Sequence, residues 1–391
     1  MRYIKLLTFL FLVALVAIAC GNQNEKDPNE DGHPDDGNTS VAGFAQGADI
    51  SWVTEMEQKG MKFYNTEGKA TDCFQLMKDL GLNAVRLRVW VNPDKHGNWC
   101  DKDDFLVKAK RAAKLGMDVM VDFHYSDWWA DPGQQHKPAA WKGKSLVELK
   151  QAIADHTQDV LNALKSAGIT PKWVQVGNEI RPGMLWDEDV ALSGASYDVR
   201  ECDVKDSGST STKVKYPKNF ANLATFINAG YDAVKAVFPS SIVIVHLDNG
   251  YDQSLYNWFF DELKKNSGKW DMIGMSIYPY WTMLEHKEYT PERTITECID
   301  NIKKVSTKYN CDVMIVETGM ECADTKGQLA TASILQEGKK QLTRLLKECR
   351  ENTNDRCKGV FYWEPECRPS QYRLGAFTEN GYPTVIMDAF K

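Results

Sequence analysis

The chain has 391 residues, of which 43% are hydrophobic and 26% are charged. This composition is typical of a globular protein and excludes a collagen-like chain or one that is disordered throughout. Its 54 acidic residues outnumber 47 basic residues, which gives a formal net charge of −7. Proteins that bind nucleic acid normally carry a basic surface, so we expect no nucleic-acid partner.

The first 20 residues have the pattern of an export signal. Two basic residues precede an apolar run over residues 6–19, which is too short to span a bilayer comfortably but suits the core of a signal peptide. The small residues before Cys20 resemble a lipobox, so residues 1–20 are predicted to be a lipoprotein signal peptide. Ala17 stands where this motif usually has Leu, which leaves a simple cleaved signal as the alternative. We therefore expect an exported protein, lipid-anchored to the bacterial envelope at the outer membrane or cell surface, that contacts the membrane only through this anchor.

The segment after the signal differs in composition from the rest of the chain. Residues 21–40 are acidic, rich in Asn, Gly and Pro, and almost free of apolar side chains. Such a segment cannot bury enough surface to fold, so we predict a flexible tether. Residues 41–391 are predicted to form one catalytic domain. Nine cysteines follow Cys20 without a CxxC pair, so no zinc knuckle or redox motif is expected, and any disulfide pairing is left open.

From residue 41 onward, short apolar segments alternate with longer amphipathic ones. The apolar segments predict strands over residues 43–51, 84–90, 117–125, 172–179, 241–249, 271–279, 312–318 and 359–365. The amphipathic segments predict helices over residues 71–82, 103–116, 145–168, 219–237, 291–309 and 329–350. Ser145 and Glu148 have the spacing of a capping box at the start of the third helix.

Eight successive β-then-α units favour an α/β fold, a single (β/α)8 TIM barrel whose long βα loops form a substrate groove. The alternative is an open doubly wound sheet, but no GxGxxG motif follows the first strand. Long inserts follow the third and fourth strands, at residues 126–144 and 180–216. These inserts extend the side of the barrel on which active sites are built.

Nearly every predicted strand ends in polar or aromatic residues that a hydrophobic core would exclude. They are Asp49, Arg86, Arg88, His124, Tyr125, Asn178, Glu179, His246, Asp248, Asn249, Tyr278, Glu317, Trp363 and Glu364. Closure of the barrel brings these positions to one mouth, where burying so many unpaired polar groups without a function would be unfavourable. We therefore predict a catalytic or ligand-binding mouth. Trp128 and Trp129, in the insert after the third strand, are further candidates for stacking on sugars.

Glu179 and Glu317 end the fourth and seventh strands and form the candidate catalytic pair. Hydrolysis of a glycoside requires one protonated carboxyl group that donates to the leaving oxygen and one ionised carboxylate at the anomeric carbon. A barrel can bring these two strand ends to the separation of roughly 5–5.5 Å that retention of configuration requires. The alternative for either residue alone is a structural ion pair with an arginine. Glu364 ranks third, as a structural or substrate-contacting residue.

Eight motifs identify the family that this sequence resembles. They are GADIS (47–51), VRLRVWVNP (85–93), DFHYSDWWADPGQQHKPAAW (122–141), VGNE (176–179), HLDNG (246–250), YPYW (278–281), ETG (317–319) and YWEP (362–365). In these motifs the sequence resembles glycoside hydrolase family 53, the endo-β-1,4-galactanases, a family of retaining (β/α)8 hydrolases. The resemblance extends from about Gly43 to Lys391, and the motif at 122–141 is highly specific.

The resemblance implies roles for individual residues. Glu179 matches the acid/base of the family, Glu317 its nucleophile, and Asn178 the residue that binds the sugar 2-hydroxyl. Arg86 or Arg88 is expected to lie near the nucleophile and to keep it ionised. Because alternation along a strand places both arginines on one face, the choice between them is left open.

The resemblance also implies the substrate-binding residues and the absence of a cofactor. The expected substrate-binding residues are Asp49, Arg86, Arg88, His124, Trp141, Asn178, His246, Asp248, Asn249, Tyr278 and Trp363. Trp363 would form the floor under the sugar ring. Some bacterial members carry a calcium loop late in the barrel, but the segment after Glu317 lacks a dense Asp/Asn run, so no metal site is predicted.

The function that follows is a retaining, endo-acting hydrolase of internal β-1,4-galactosidic bonds in pectic galactan or type I arabinogalactan, expected to be monomeric. One alternative is a related hydrolase of another β-1,4-glycan such as mannan or cellulose. The other is a surface glycan-binding protein without catalysis, although a pure binder would not need both glutamates. The number of subsites and the choice between endo and processive action are left open.

Overall fold

A computed structural model describes residues 43–186 and 220–391 of the chain. The signal peptide, the tether and most of the insert at 180–216 lie outside these ranges, so their predictions stay predictions. Among the helices that are described, none combines the length and the apolar character needed to cross a bilayer.

Eight parallel strands close into a barrel. They are β1 (Ala45–Asp49), β2 (Ala84–Val89), β3 (Asp118–Phe123), β4 (Trp173–Val176), β5 (Ile242–Leu247), β6 (Met272–Ile277), β7 (Asp312–Thr318) and β8 (Cys357–Trp363). Each strand pairs with the next along the chain, and β8 pairs with β1. The predicted closed barrel is confirmed, and the open-sheet alternative is wrong.

Helices surround the barrel. They are α1 (Val53–Gln58), α2 (Cys73–Asp79), α3 (Lys102–Lys114), α4 (Leu146–Ser166), α5 (Phe220–Val237), α6 (Gln253–Lys265), α7 (Pro279–Glu285), α8 (Pro291–Tyr309) and α9 (Ala332–Glu351). All six predicted helices are present, and α4 begins with the predicted capping box. The sequence analysis missed the short helices α1 and α7 and the longer α6, although the buried residues of α6 recur at helical spacing. After β8 the described chain ends in a 3-10 helix, Val385–Phe390, where the barrel pattern predicts an α-helix.

The interior of the barrel changes from apolar to polar along each strand. A small apolar cluster fills one end and consists of Ala45, Ala84, Met120, Trp173, Ile244, Met272, Met314, Val316 and Phe361. Because side chains alternate along a strand, the residue two positions after a cluster member points to the same interior. In β2 and β3 these residues are Arg86 and Asp122, which form an ion pair inside the barrel. The larger hydrophobic core lies between the barrel and its helices.

The seam between β1 and β8 leaves no room for a side chain at Gly47. Gly47 is paired in register with Phe361, and a Cβ atom on Gly47 would lie 2.2 Å from the Phe361 ring. The absence of a side chain at this position therefore allows Phe361 to fill the barrel interior.

We expect Gly47→Ala to destabilise the protein by about 1–3 kcal/mol, because overpacking forces side chains and backbone out of position. Thermal unfolding of Gly47→Ala, Phe361→Leu and the double variant measures this effect. The smaller Leu side chain should make room for the new methyl group, so the double variant should lose less stability than the sum of the single losses. A Gly47→Ala protein as stable as wild type would contradict the assignment of this seam.

Candidate active site

A cavity of about 540 Å³ opens at the C-terminal ends of the strands. Its lining residues are Trp52, His124, Trp129, Ala130, Asp131, Gln134, Asn178, Glu179, Asp248, Asn249, Tyr251, Ser276, Tyr278, Trp281, Thr282, Glu285, Glu317, Trp363 and Tyr372. Both candidate glutamates are among them. The fold therefore places in one cavity two carboxyl groups that are far apart in the sequence.

Glu317 is held as the ionised member of the pair. It is buried near the end of β7, where Arg86 lies 2.9 Å from Oε1 and the Tyr278 hydroxyl donates to Oε2 at 2.9 Å. Burial and, less strongly, the charges of Asp122 and Asp49 raise the pKa of Glu317, which reaches about 7 even though the Arg86 charge and the Tyr278 hydrogen bond lower it. Both oxygens thus accept from donors that favour the carboxylate form. Of the two predicted arginines, Arg86 is the one that contacts Glu317.

Glu179 has the opposite environment. It follows β4 and lines the cavity, and its Oε1 lies 2.7 Å from the Ser276 hydroxyl. Burial and the negative charge of Glu317 raise the pKa of Glu179 well above its usual value. Arg86 compensates the charge of Glu317, whereas no cation within residues 43–186 and 220–391 contacts Glu179, so this arrangement favours a proton on Glu179 rather than on Glu317. Ser276 of β6 is paired in register with Glu317 of the neighbouring strand β7. Its hydroxyl therefore contacts Glu179 from a backbone position next to Glu317.

Arg86 connects Glu317 to the rest of the barrel interior. This fully buried guanidinium contacts Asp49 at 2.8 Å, Asp122 at 2.9 Å and the Asn178 side-chain oxygen at 2.7 Å. Burial alone would lower the pKa of Arg86, but the three carboxylates raise it, so the group stays charged. The pKa of Asp122 is lowered because Arg86 and His124 outweigh the effect of its burial.

Two histidines lie beside this cluster. His124 lines the cavity; its Nε2 lies 3.0 Å from Asp122, and its Nδ1 accepts from the Ala130 amide at 3.0 Å. His246 is fully buried behind the cavity, between Asn178 at 2.9 Å and Ser276 at 2.8 Å. Burial and the Arg86 charge lower the pKa of His246 well below its usual value, so this ring is neutral.

Aromatic rings form one wall of the cavity. The centroid of Trp52 lies 5.4 Å from that of Trp129 and 5.9 Å from that of Trp363. Arg88 is buried behind this wall, where its guanidinium lies 4.1 Å from the Trp129 ring and forms an ion pair with Glu364. Arg88 and Glu364 therefore support the aromatic wall from behind.

Several residues that follow strands have left-handed backbone. Tyr125, Glu179, Asn249 and Glu364 have φ values of 50°, 46°, 52° and 45° and lie just after β3, β4, β5 and β8. Such conformations cost roughly 1–3 kcal/mol each and persist where the surrounding structure imposes them. At Glu179 and Asn249, the left-handed turn after the strand places the residue in the lining of the cavity.

Among residues 43–186 and 220–391, no group of three or more His, Cys, Asp or Glu side chains could hold a metal ion. The eight cysteines within these ranges carry free thiols.

The chain matches the model of Glycosyl hydrolase family 53 over residues 45–385. The chain belongs to glycosyl hydrolase family 53. It is 32% identical over 346 residues to an arabinogalactan endo-beta-1,4-galactanase of Cellvibrio japonicus, covering 84% of this chain and 82% of that protein. It is 30% identical over 343 residues to an endo-beta-1,4-galactanase of Bacillus subtilis, covering 83% and 71%. A solved structure of fungal beta-1,4-galactanases matches with a TM-score of 0.71 and 27% identity, covering 88% of this chain and 98% of that one.

The predicted binding residues of this family 53 glycosidase fall into three groups. Those that line the cavity are His124, Asn178, Asp248, Asn249, Tyr278 and Trp363. Those that are buried behind the lining are Asp49, Arg86, Arg88 and His246. These four residues do not line the cavity, and their predicted contact with substrate stays a prediction. Trp141 does not line the cavity either: it is buried in the core between barrel and helices, with its ring edge-on to His156.

The sequence analysis missed several lining residues of this family 53 enzyme. Ser276 could have been found, because it stands two positions before Tyr278 and alternation places both on one face. Trp52 lies in the loop after β1, and Tyr372 lies in the loop after β8. Neither belongs to a periodic segment, so the sequence carried no signal for where their rings would lie.

We expect Arg88→Met to lower the free energy of unfolding of this family 53 enzyme by about 3–5 kcal/mol, because Glu364 would stay buried without its cation. Burial already raises the pKa of Glu364, and loss of Arg88 should raise it further. A carboxyl group with a raised folded-state pKa is destabilising when ionised, so the loss relative to wild type should grow as pH rises above the already raised pKa of Glu364 in the wild-type protein.

Urea unfolding across this pH range measures the effect, with Arg344→Met on the exposed side of α9 as the control. Arg344 lies 3.8 Å from Glu348 in a partly exposed pair, so its loss should cost at most about 1 kcal/mol. A stable Arg88→Met protein whose KM alone increased would support the original substrate-binding prediction.

Proposed function

We propose that the chain is a retaining, endo-acting β-1,4-galactanase that cleaves internal bonds of pectic galactan or type I arabinogalactan. The observation that carries this proposal is the asymmetry of the two glutamates in one cavity. Glu317 is held by Arg86 and Tyr278, whereas the half-buried Glu179 contacts a hydroxyl group and no cation within residues 43–186 and 220–391. The named galactanases among its relatives support galactan as the substrate.

In the first half of the proposed reaction, ionised Glu317 attacks the anomeric carbon while protonated Glu179 donates to the leaving oxygen. Arg86 and Tyr278 orient the two oxygens of Glu317, which restricts the nucleophile to a narrow range of positions. Because Glu179 carries the proton at neutral pH, the leaving group departs as an alcohol rather than as an alkoxide.

In the second half, water hydrolyses the glycosyl-enzyme. Ester formation removes the negative charge of Glu317, which is one of the causes that raise the pKa of Glu179. The pKa of Glu179 should therefore fall, so that the ionised residue can accept a proton from the attacking water. One residue thus serves as acid and then as base because the charge of its neighbour changes.

The cavity also suits a carbohydrate chain. The rings of Trp52, Trp129 and Trp363 present apolar faces, while Asp248, Asn249 and other polar residues supply partners for hydroxyl groups. Such a combination of aromatic surface and a few polar groups is typical of small-molecule and sugar sites. Hydrolysis of another β-1,4-glycan remains the alternative, since these features do not by themselves select galactose.

The substrate is tested by measuring reducing-end release from linear β-1,4-galactan, mannan and carboxymethylcellulose in parallel. We expect cleavage of galactan alone, with short and medium oligosaccharides appearing early as endo action requires. Glu317→Gln is the matched control, which should still bind galactan but not cleave it. Cleavage of mannan or carboxymethylcellulose would favour the alternative glycan, and binding of galactan by wild type without cleavage would leave a binding protein.

The roles of the glutamates are tested with Glu179→Ala. Its rate on galactan should fall by about 10²–10⁴-fold, but an aryl β-galactoside with a good leaving group should lose much less, because only galactan needs the donated proton. Azide should rescue Glu179→Ala to the β-azide and Glu317→Ala to the α-azide. Equal losses on both substrates would remove Glu179 from the acid role, and a β-azide from Glu317→Ala would remove Glu317 from the nucleophile role.

A further inference from the structure

A chain of buried hydrogen bonds ends at Glu179, and the two-carboxylate mechanism does not account for it. The side-chain oxygen of Asn178 lies 2.9 Å from Nδ1 of His246, and Nε2 of His246 lies 2.8 Å from the Ser276 hydroxyl. That hydroxyl lies 2.7 Å from Oε1 of Glu179. His246 and Ser276 are each no more than 1% exposed. The direction of each hydrogen bond can be deduced in turn, starting from Asn178.

The orientation of the Asn178 amide is determined by its other partners. Its Oδ1 accepts from Arg86 at 2.7 Å and from Gln175 at 3.0 Å, while its Nδ2 donates to the Ala130 carbonyl at 2.8 Å. The atom that faces His246 is therefore an acceptor, so Nδ1 of His246 must carry a hydrogen. The backbone N–H of Glu179 also approaches Nδ1, but at 3.4 Å. If Nδ1 carried no hydrogen, it could accept this weak bond, but its lone pair would then face the lone pairs of Asn178 Oδ1 at 2.9 Å, which is unfavourable.

The remaining directions follow because His246 has only one hydrogen to donate. The ring is buried close to the Arg86 cation, which disfavours a second proton. Its Nε2 therefore presents a lone pair, and the Ser276 hydroxyl donates to it. A hydroxyl has one hydrogen, so Ser276 can only accept at its 2.7 Å contact with Glu179. The hydrogen in that contact must belong to Glu179, which the network thus holds in its protonated form.

We infer that His246 and Ser276 are positioning residues that hold the proton on Glu179 in the free enzyme and respond when that proton leaves. While Glu179 is protonated, Nε2 of His246 accepts a hydrogen bond from the Ser276 hydroxyl. Once Glu179 has donated its proton, the Ser276 O–H rotates and donates to the carboxylate. No proton leaves Ser276 in this rotation, but Nε2 of His246 loses its donor. This inference rests on the proposed acid/base role of Glu179.

The consequence is that ionisation of Glu179 in the free enzyme costs the hydrogen bond between Ser276 and His246. Other charged groups also act on this site. Glu179 faces Glu317 of β7, Asp248 after β5 and Asp131 after β3. His246 faces Arg86 of β2, Asp122 of β3 and His124, which directly follows β3. All of these groups are unchanged in the variants compared below, so the comparison isolates the hydroxyl.

The inference is tested by the alkaline limb of kcat/KM on galactan, which reports loss of the proton from Glu179. His246→Asn places an amide donor where Nδ1 was, so it preserves the bond to Asn178 and removes the acceptor for Ser276. The freed hydroxyl can then stabilise ionised Glu179, and the alkaline limb should move to lower pH by up to about one unit, the effect of one neutral hydrogen bond.

Ser276→Ala supplies the matched background. When His246→Asn is added to Ser276→Ala, the alkaline limb should stay at the pH that it has in Ser276→Ala alone, because no hydroxyl remains to be freed. If the limb moves equally with and without Ser276, His246 acts on Glu179 by another route and the inference is overturned. An unmoved limb in His246→Asn overturns it as well.

A second measurement uses the unaltered protein and needs no activity. The chain has seven histidines, so ¹⁵N-histidine labelling and long-range ¹H–¹⁵N correlation can identify each neutral tautomer. We expect His246 to carry its hydrogen on Nδ1 at neutral pH, and a hydrogen on Nε2 would overturn the inference. Failure of the proposed function would look different: Glu179→Gln would keep its activity on galactan, whatever the tautomer of His246.

Discussion

The burial of one guanidinium group, that of Arg86, organises the whole site. From β2 it contacts Asp49 of β1, Asp122 of β3, Asn178 after β4 and Glu317 of β7. A buried arginine is tolerated only when its donors are satisfied and its charge is compensated, and here the strand ends supply both. The same contacts that satisfy Arg86 orient the candidate nucleophile and determine which atom of Asn178 faces His246. Catalytic geometry and the stability of the barrel interior are therefore coupled.

The two glutamates differ in protonation because Arg86 contacts Glu317 and not Glu179. Glu317 receives Arg86 and Tyr278, while Glu179 receives a hydroxyl group and the repulsion of Glu317. Burial disfavours charge on both residues, and the arginine offsets that effect for only one. In the proposed reaction, two residues of the same type thereby serve as an acid and a nucleophile. The repulsion that favours a proton on Glu179 lasts only while Glu317 is charged, which suits the two-step reaction proposed above.

A second buried ion pair supports the sugar-facing wall. Arg88 and Glu364 meet behind Trp52 and Trp129, where the guanidinium packs against the indole faces. Arg86 and Arg88 are two residues apart on one strand and face one interior, yet one supports the chemistry and the other supports the aromatic surface. Glu364 forms an ion pair with Arg88, while Asp49, Asp122 and Glu317 form ion pairs with Arg86. Asp49 also acts on Arg88, so the two clusters are electrostatically connected.

The sequence by itself determined the eight strands, six of the surrounding helices, the closed barrel and the choice of Glu179 and Glu317 as the candidate pair. These follow from hydrophobic periodicity and from polar residues at strand ends, which are local properties of the chain. Only the tertiary structure decided that Arg86 rather than Arg88 contacts Glu317, that Ser276 contacts Glu179, and that Trp141 is buried rather than in the cavity. These outcomes depend on which strand end lies opposite which across the barrel and on where irregular loops return. Alternation along a strand specifies which face a side chain occupies, but not the neighbour that it meets there.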